Sequence, residues 1–72
     1  MSVQTTYTVT GMSCDHCVHA VTGELTRLSG VREVRVDLPT GAVTVTSEAP
    51  LPLDDVRAAV DEAGYELASA HA

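Results

Sequence analysis

This chain has no lysine, no tryptophan and no phenylalanine, and Tyr7 and Tyr65 are its only aromatic residues. Its four cations, Arg27, Arg32, Arg35 and Arg57, stand against ten carboxylates, for a formal net charge of −6 over 72 residues. Such a surface repels phosphate backbones, and two tyrosines make no base-stacking platform, so nucleic-acid binding is excluded as a function class. An acidic surface suits a partner with a basic patch instead. No apolar run approaches the roughly 20 residues that span a bilayer. The alternating start "MSVQTTYTV" has no basic segment leading into an apolar run, so it does not read as a signal peptide, and no membrane insertion is expected. The cytosol is the expected compartment. Cysteine is scarce as well, with Cys14 and Cys17 alone. In the cytosol a lone pair reads as metal-binding or redox-active before it reads as a structural disulfide. A disulfide closing so small a loop would also stabilise little.

What the chain does contain is enough apolar side chain to fold, at 44% hydrophobic residues. A chain of this size buries only about 60% of its unfolded surface, which limits it to one economical core. One domain over residues 1–72 is expected, with its core from about 3 to 68 and a frayed tail at 69–72. Val3, Thr5, Tyr7 and Val9 alternate with polar residues, the period of a half-buried strand. From Val18 the period lengthens, and Val18, Val21, Leu25 and Leu28 form the stripe of a helix that Ser29 and Gly30 end. Val31, Val34, Val36 and Leu38 give a second strand, "PTG" at 39–41 a hairpin turn, and "AVTVT" at 42–46 a third strand. Leu53, Val56, Val60 and Ala63 repeat the helical stripe, with Asp54 and Asp55 placed to favour the helix dipole. Gly64 ends that helix, and 65–68 make a short last strand. The order βαββαβ describes a ferredoxin-like α+β fold, two helices on one face of a four-stranded antiparallel sheet.

The chemistry is concentrated in "GMSCDHC", residues 11–17. Cys14 falls in the loop after the first strand and Cys17 on or near the first turn of the first helix. The positive end of a helix and its unpaired N–H groups favour thiolates there, the form that attacks disulfides and ligates soft metals. Two cysteines are too few for a closed zinc site, which takes four ligands. They suffice for a soft d¹⁰ ion of low coordination number, and Cu(I) is the best match. An exposed two-sulfur site also leaves the metal open to another protein's thiols, which suits transfer. The CxxC spacing serves a thiol–disulfide oxidoreductase equally, but the chain lacks the length and the strand order of a thioredoxin.

With "GVREVRVDLPTGAVTV" and "AGYE" in their relative positions, "GMSCDHC" resembles the heavy-metal-associated domain family, and within it the small bacterial copper chaperones. The likeness runs from about Val3 to Ala68 and matches the family pattern at Gly11, Met12, Cys14, Cys17, Gly64 and Tyr65. It implies the βαββαβ fold, Cu(I) bound by both sulfurs, delivery by ligand exchange to a copper-transporting P-type ATPase, and no enzymatic activity. It further implies that Met12 turns into the core as a prop rather than serving as a third, thioether ligand. It places the Tyr65 ring over the metal loop, where a core aromatic is the plainer reading, and a histidine at the position of His16.

Other residues keep two readings. His16 projects away from the helical stripe, either as a solvent-facing group that tunes the thiolates or as a ligand to a second copper in a clustered dimer. Asp15 is either a helix N-cap or a third donor for Zn(II). His19 reads as surface. Asp54, Asp55, Asp61 and Glu62 mark an acidic face of the second helix that is either simply solvated or steers a partner. The protein is thus expected to be a Cu(I) carrier, monomeric without metal and able to form a copper-bridged homodimer. A copper-sensing repressor is a possible second client. The competing readings are a carrier of Zn(II), Cd(II) or Hg(II), an oxidoreductase, and the N-terminal domain of an ATPase. Met1 and the short tail favour a free-standing carrier over that last alternative.

Overall fold

The computed structural model describes residues 2–13 and 15–71, with Ala70 and His71 described by backbone alone. Six elements follow in order: β1 (Val3–Thr10), α1 (Asp15–Thr26), β2 (Val31–Asp37), β3 (Ala42–Ser47), α2 (Leu53–Glu62) and β4 (Glu66–His71). The strands form one antiparallel sheet in the order β2-β3-β1-β4. This is the ferredoxin-like arrangement, with both helices packed on one face.

Register explains where the core sits. Val36, Val43 and Tyr7 lie side by side across three strands, and Val34, Val45 and Thr5 form the neighbouring row. β-Branched side chains suit this pleated, half-buried surface. Val21 and Leu25 from α1 and Val56 and Val60 from α2 close the core from above, all four fully buried. The stripes hold in the middle of each helix and fail at its ends. Leu28 lies past the end of α1, though it still packs against the core. Leu53, at the first position of α2, is 44% exposed, while Ala59, a turn after Val56, is buried.

The tail differs from expectation. Residues 69–71 are not frayed but continue β4, with Ser69, Ala70 and His71 paired to Thr8, Tyr7 and Thr6. Those β1 residues face β3 on one side only, and β4 pairs the backbone groups on the other. A bulge between Thr8 and Val9 shifts the register, so that Val9 pairs with Leu67.

Two connections bring the functional end together. The Val9 N–H donates to the Gly41 carbonyl at 2.9 Å, tying the β2–β3 turn to the end of β1. A Cβ on Gly41 would stand 2.7 Å from the Val9 oxygen, and its φ is +74°, so only glycine fits. At the end of α2, the Gly64 N–H donates to Asp61 and the Tyr65 N–H to Val60, a Schellman closure that delivers Tyr65 to the same end of the molecule.

Candidate metal site

The loop between β1 and α1 leaves the sheet at Gly11, whose φ of +93° turns the chain toward the helix. A Cβ on Gly11 would sit 3.3 Å from Tyr65 Cδ1. The Tyr65 ring therefore lies against the loop backbone while also packing on the core, and it is half-buried. Met12 is half-buried and packs against the core, the prop position that the family likeness implied.

Cys17 is the third residue of α1, in its first turn, where the helix dipole favours an anionic sulfur. It is buried, at 8% exposure, and the open site expected from sequence is closed on this side. The same stripe that seats Val21 and Leu25 carries Cys17 one turn earlier, which the sequence reading had begun only at Val18. Ser13 Oγ lies 4.0 Å from Cys17 Sγ, within hydrogen-bond range for sulfur. Sequence reasoning missed Ser13; its only signal is the four-residue offset across the helix start. Cys14 lies outside the described residues.

Asp15 is exposed and is the first residue of α1, its carboxylate lying in the helix's first turn. His16 and His19 are exposed, as their helical positions required. Among the described residues no three of His, Cys, Asp and Glu converge as a metal-binding group.

Charge is distributed unevenly between the two ends of the fold. Arg27 pairs with Glu24 at 3.5 Å, Arg32 with Glu48 at 3.8 Å and Arg35 with Glu33 at 3.0 Å, on the last turn of α1 and on or beside β2 and β3. These exposed pairs contribute little to stability. Their consequence is electrostatic, because they use three of the four arginines. Among the described residues Asp15, Asp61, Glu62 and Glu66 are exposed and have no ion pair. Asp15 opens α1, Asp61 and Glu62 close α2, and Glu66 begins β4 beside Thr10, all at the loop's end of the fold. Asp54 and Asp55 belong to the opposite end of α2, so the acidic residues of that helix divide between two ends. No helix among the described residues is long and apolar enough to cross a membrane.

Comparison with known proteins places this arrangement. The chain is 41% identical over 66 residues to the copper chaperone CopZ of Bacillus subtilis (strain 168), covering 90% of this chain and 96% of that one. It is 34% identical over 59 residues to copper-transporting ATPase 2 of Homo sapiens, covering 81% of this chain and 4% of the ATPase. A solved CopZ metallochaperone superposes with a TM-score of 0.83 at 32% identity, covering 90% of this chain and 98% of that chain. Residues 6–66 match the heavy-metal-associated domain, and the chain belongs to that family.

Proposed function

We propose that the protein is a cytosolic carrier of Cu(I), with Cys14 and Cys17 as the two metal-binding sulfurs and no catalytic role. The observation that carries this reading is Cys17, the last residue of "GMSCDHC", held buried in the first turn of α1. The scaffold around it is similar over nearly its whole length to a protein named as a copper chaperone. Two thiolates at a helix N-terminus satisfy a soft monovalent ion in near-linear geometry and leave a hard divalent ion short of ligands.

The receiving protein is a copper-transporting P-type ATPase, and the similarity to part of one supports exchange between two like sites. In transfer, a partner thiol gives up its proton and its sulfur bonds the metal, forming a three-sulfur intermediate. One Cu–S bond to this chain then breaks and that sulfur takes a proton. Repeating the exchange moves the ion without releasing it, driven only by the difference in affinity. The acidic end steers a partner with a basic patch into this encounter. The carrier is monomeric without metal, and copper shared between two loops gives a dimer.

The test is an anaerobic titration of the fully reduced protein with Cu(I) against a chromophoric Cu(I) chelator, with excess Zn(II) present. Cu(I) is retained, Zn(II) does not displace it, and changing both cysteines to serine abolishes retention. If Cu(I) passes to the chelator while Zn(II) stays bound, the cargo is a divalent ion; if neither binds, the carrier reading fails.

A further inference from the structure

We propose that His16 and His19 form a second metal site on the outer surface of α1, a two-nitrogen chelate for a borderline divalent ion such as Zn(II). The site is separate from the sulfurs, and its existence does not depend on the copper-carrier reading above.

Placement on the helix brings the two rings together. His16 and His19 stand three residues apart on α1, and both are exposed. Residues at that spacing are neighbours on a helix surface, with Cβ atoms about 5–6 Å apart. Two imidazoles leaving such positions reach one ion, whose adjacent nitrogen ligands stand roughly 3 Å apart at bonds of about 2.0–2.1 Å. Among the described residues neither ring has a hydrogen bond or an ion pair, so metal binding breaks no existing contact. One turn further on, Ala20 and Gly23 follow His16 and His19 at i+4, and both are exposed. A Cβ added at Gly23 would meet nothing within 4 Å, so this strip of the surface is open to an entering ion.

Donor chemistry selects the class of ion. Imidazole nitrogen suits borderline divalent ions, whereas thiolates select soft Cu(I). Asp15, exposed and without an ion pair, stands one turn before His19 at i,i+4. A carboxylate there accepts the ring N–H that a metal-bound imidazole leaves over, which fixes the ring. No three of His, Cys, Asp and Glu converge among the described residues, so water completes the coordination shell and the ion exchanges freely. On the copper-carrier reading the chain sorts metals by donor. Sulfur keeps Cu(I), and the nitrogens take the divalent ion without displacing it.

The experiment titrates Zn(II) alone, by calorimetry at one fixed pH, into protein carrying Cys14→Ser and Cys17→Ser, so that no thiolate competes. One Zn(II) binds per chain. Adding His16→Ala or His19→Ala lowers the affinity about tenfold or more, the loss expected when an intramolecular second donor is removed. His71→Ala leaves it unchanged, and the metal-free melting temperature is the same in all variants because His16 and His19 are exposed. The ring signals of His16 and His19 in NMR spectra shift together, with one Zn(II) dependence. Unchanged affinity in either alanine variant overturns the proposal, as does an equal loss in His71→Ala or ring signals that shift independently. Wild type loaded with Cu(I) also takes up one Zn(II) and keeps its Cu(I). Zn(II) that binds only as Cu(I) leaves lies on the sulfurs and overturns the separate site. A wild-type protein that never retains Cu(I) overturns the carrier reading instead, since the nitrogens are read with the sulfurs removed.

Discussion

The ring of Tyr65 rests on Gly11, so closely that a Cβ at position 11 would meet Tyr65 Cδ1 at 3.3 Å. One residue begins the metal loop and the other follows the end of α2, 54 positions later in the chain. Their contact fixes the loop against the fold from outside, as Met12 does from the core. Gly11→Ala adds a methyl group at a φ of +93° and against this ring, and each effect disfavours the native loop. The expected result is faster release of Cu(I) to a competing dithiol, with a fall in melting temperature of a few degrees, since about 1–2 kcal/mol is at stake. Unchanged release would show that the loop's path does not depend on this contact.

Tyr65 itself separates shielding from chemistry. Tyr65→Phe keeps the ring and its packing against Gly11 and removes only the hydroxyl. Tyr65→Ala removes the ring as well and opens the loop to solvent. If the ring shields the metal, the phenylalanine variant retains Cu(I) as wild type does and the alanine variant loses it faster to chelator. Equal loss in both variants would assign the effect to the hydroxyl.

Gly41 tests the other support of this end. Replacing it with alanine places a Cβ 2.7 Å from the Val9 carbonyl oxygen, which is backbone and cannot swing aside. The cost is about 2–4 kcal/mol, from the close approach together with the positive φ. That is a large share of what a domain this small commands. Urea unfolding of the metal-free protein measures it; a change under 0.5 kcal/mol would mean that the turn relaxes away from β1.

How far the sequence spoke for itself follows from periodicity. β1, β3 and the helix centres were legible because Tyr7, Val43, Val45, Val21, Leu25, Val56 and Val60 alternate or recur at the spacing of their elements and all are buried. The sheet order followed from the βαββαβ pattern. Element ends were not legible, because Leu53 carries the right residue type for the stripe yet is exposed at the first position of α2. β4 beyond residue 68 was hidden for the opposite reason: "SAH" has little strand propensity and is ordered by pairing with β1, a tertiary effect. At the site, the CxxC spacing singled out Cys17, while Met12 and Tyr65 came only from the family likeness. The spacing did not foretell the burial of Cys17 or its contact with Ser13, which depend on where α1 begins.

The tail makes that tertiary effect measurable. Deleting residues 69–72 removes the partners of Thr6, Tyr7 and Thr8 along β4 and turns that part of β1 into an open edge. Tyr7 belongs to the buried core, so the loss reaches beyond the edge. The shortened protein should melt at a distinctly lower temperature, yet bind Cu(I) with unchanged affinity below that temperature, because Leu67 and Glu66 still pair with Val9 and Thr10 beside the loop. An unaltered melting temperature would show that the pairing at 69–71 adds no stability.

Acidity should act on the cargo through the sulfurs. Cu(I) binds each as the thiolate and so displaces a proton wherever the free thiol is protonated. At pH values below both thiol pKa values, two protons leave for each ion bound, and apparent affinity rises about a hundredfold per pH unit. Above both values no proton is displaced, and affinity levels off. Since an unperturbed thiol titrates near pH 8.5, a plateau reached well below that pH means the helix N-terminus already holds the sulfurs as thiolates. Chelator competition across pH 5–9 reads the slope directly. A slope near tenfold per unit would mean that one sulfur is already a thiolate across that range while the other still gives up its proton; a slope steeper than a hundredfold would show that a group besides the two sulfurs loses a proton on binding.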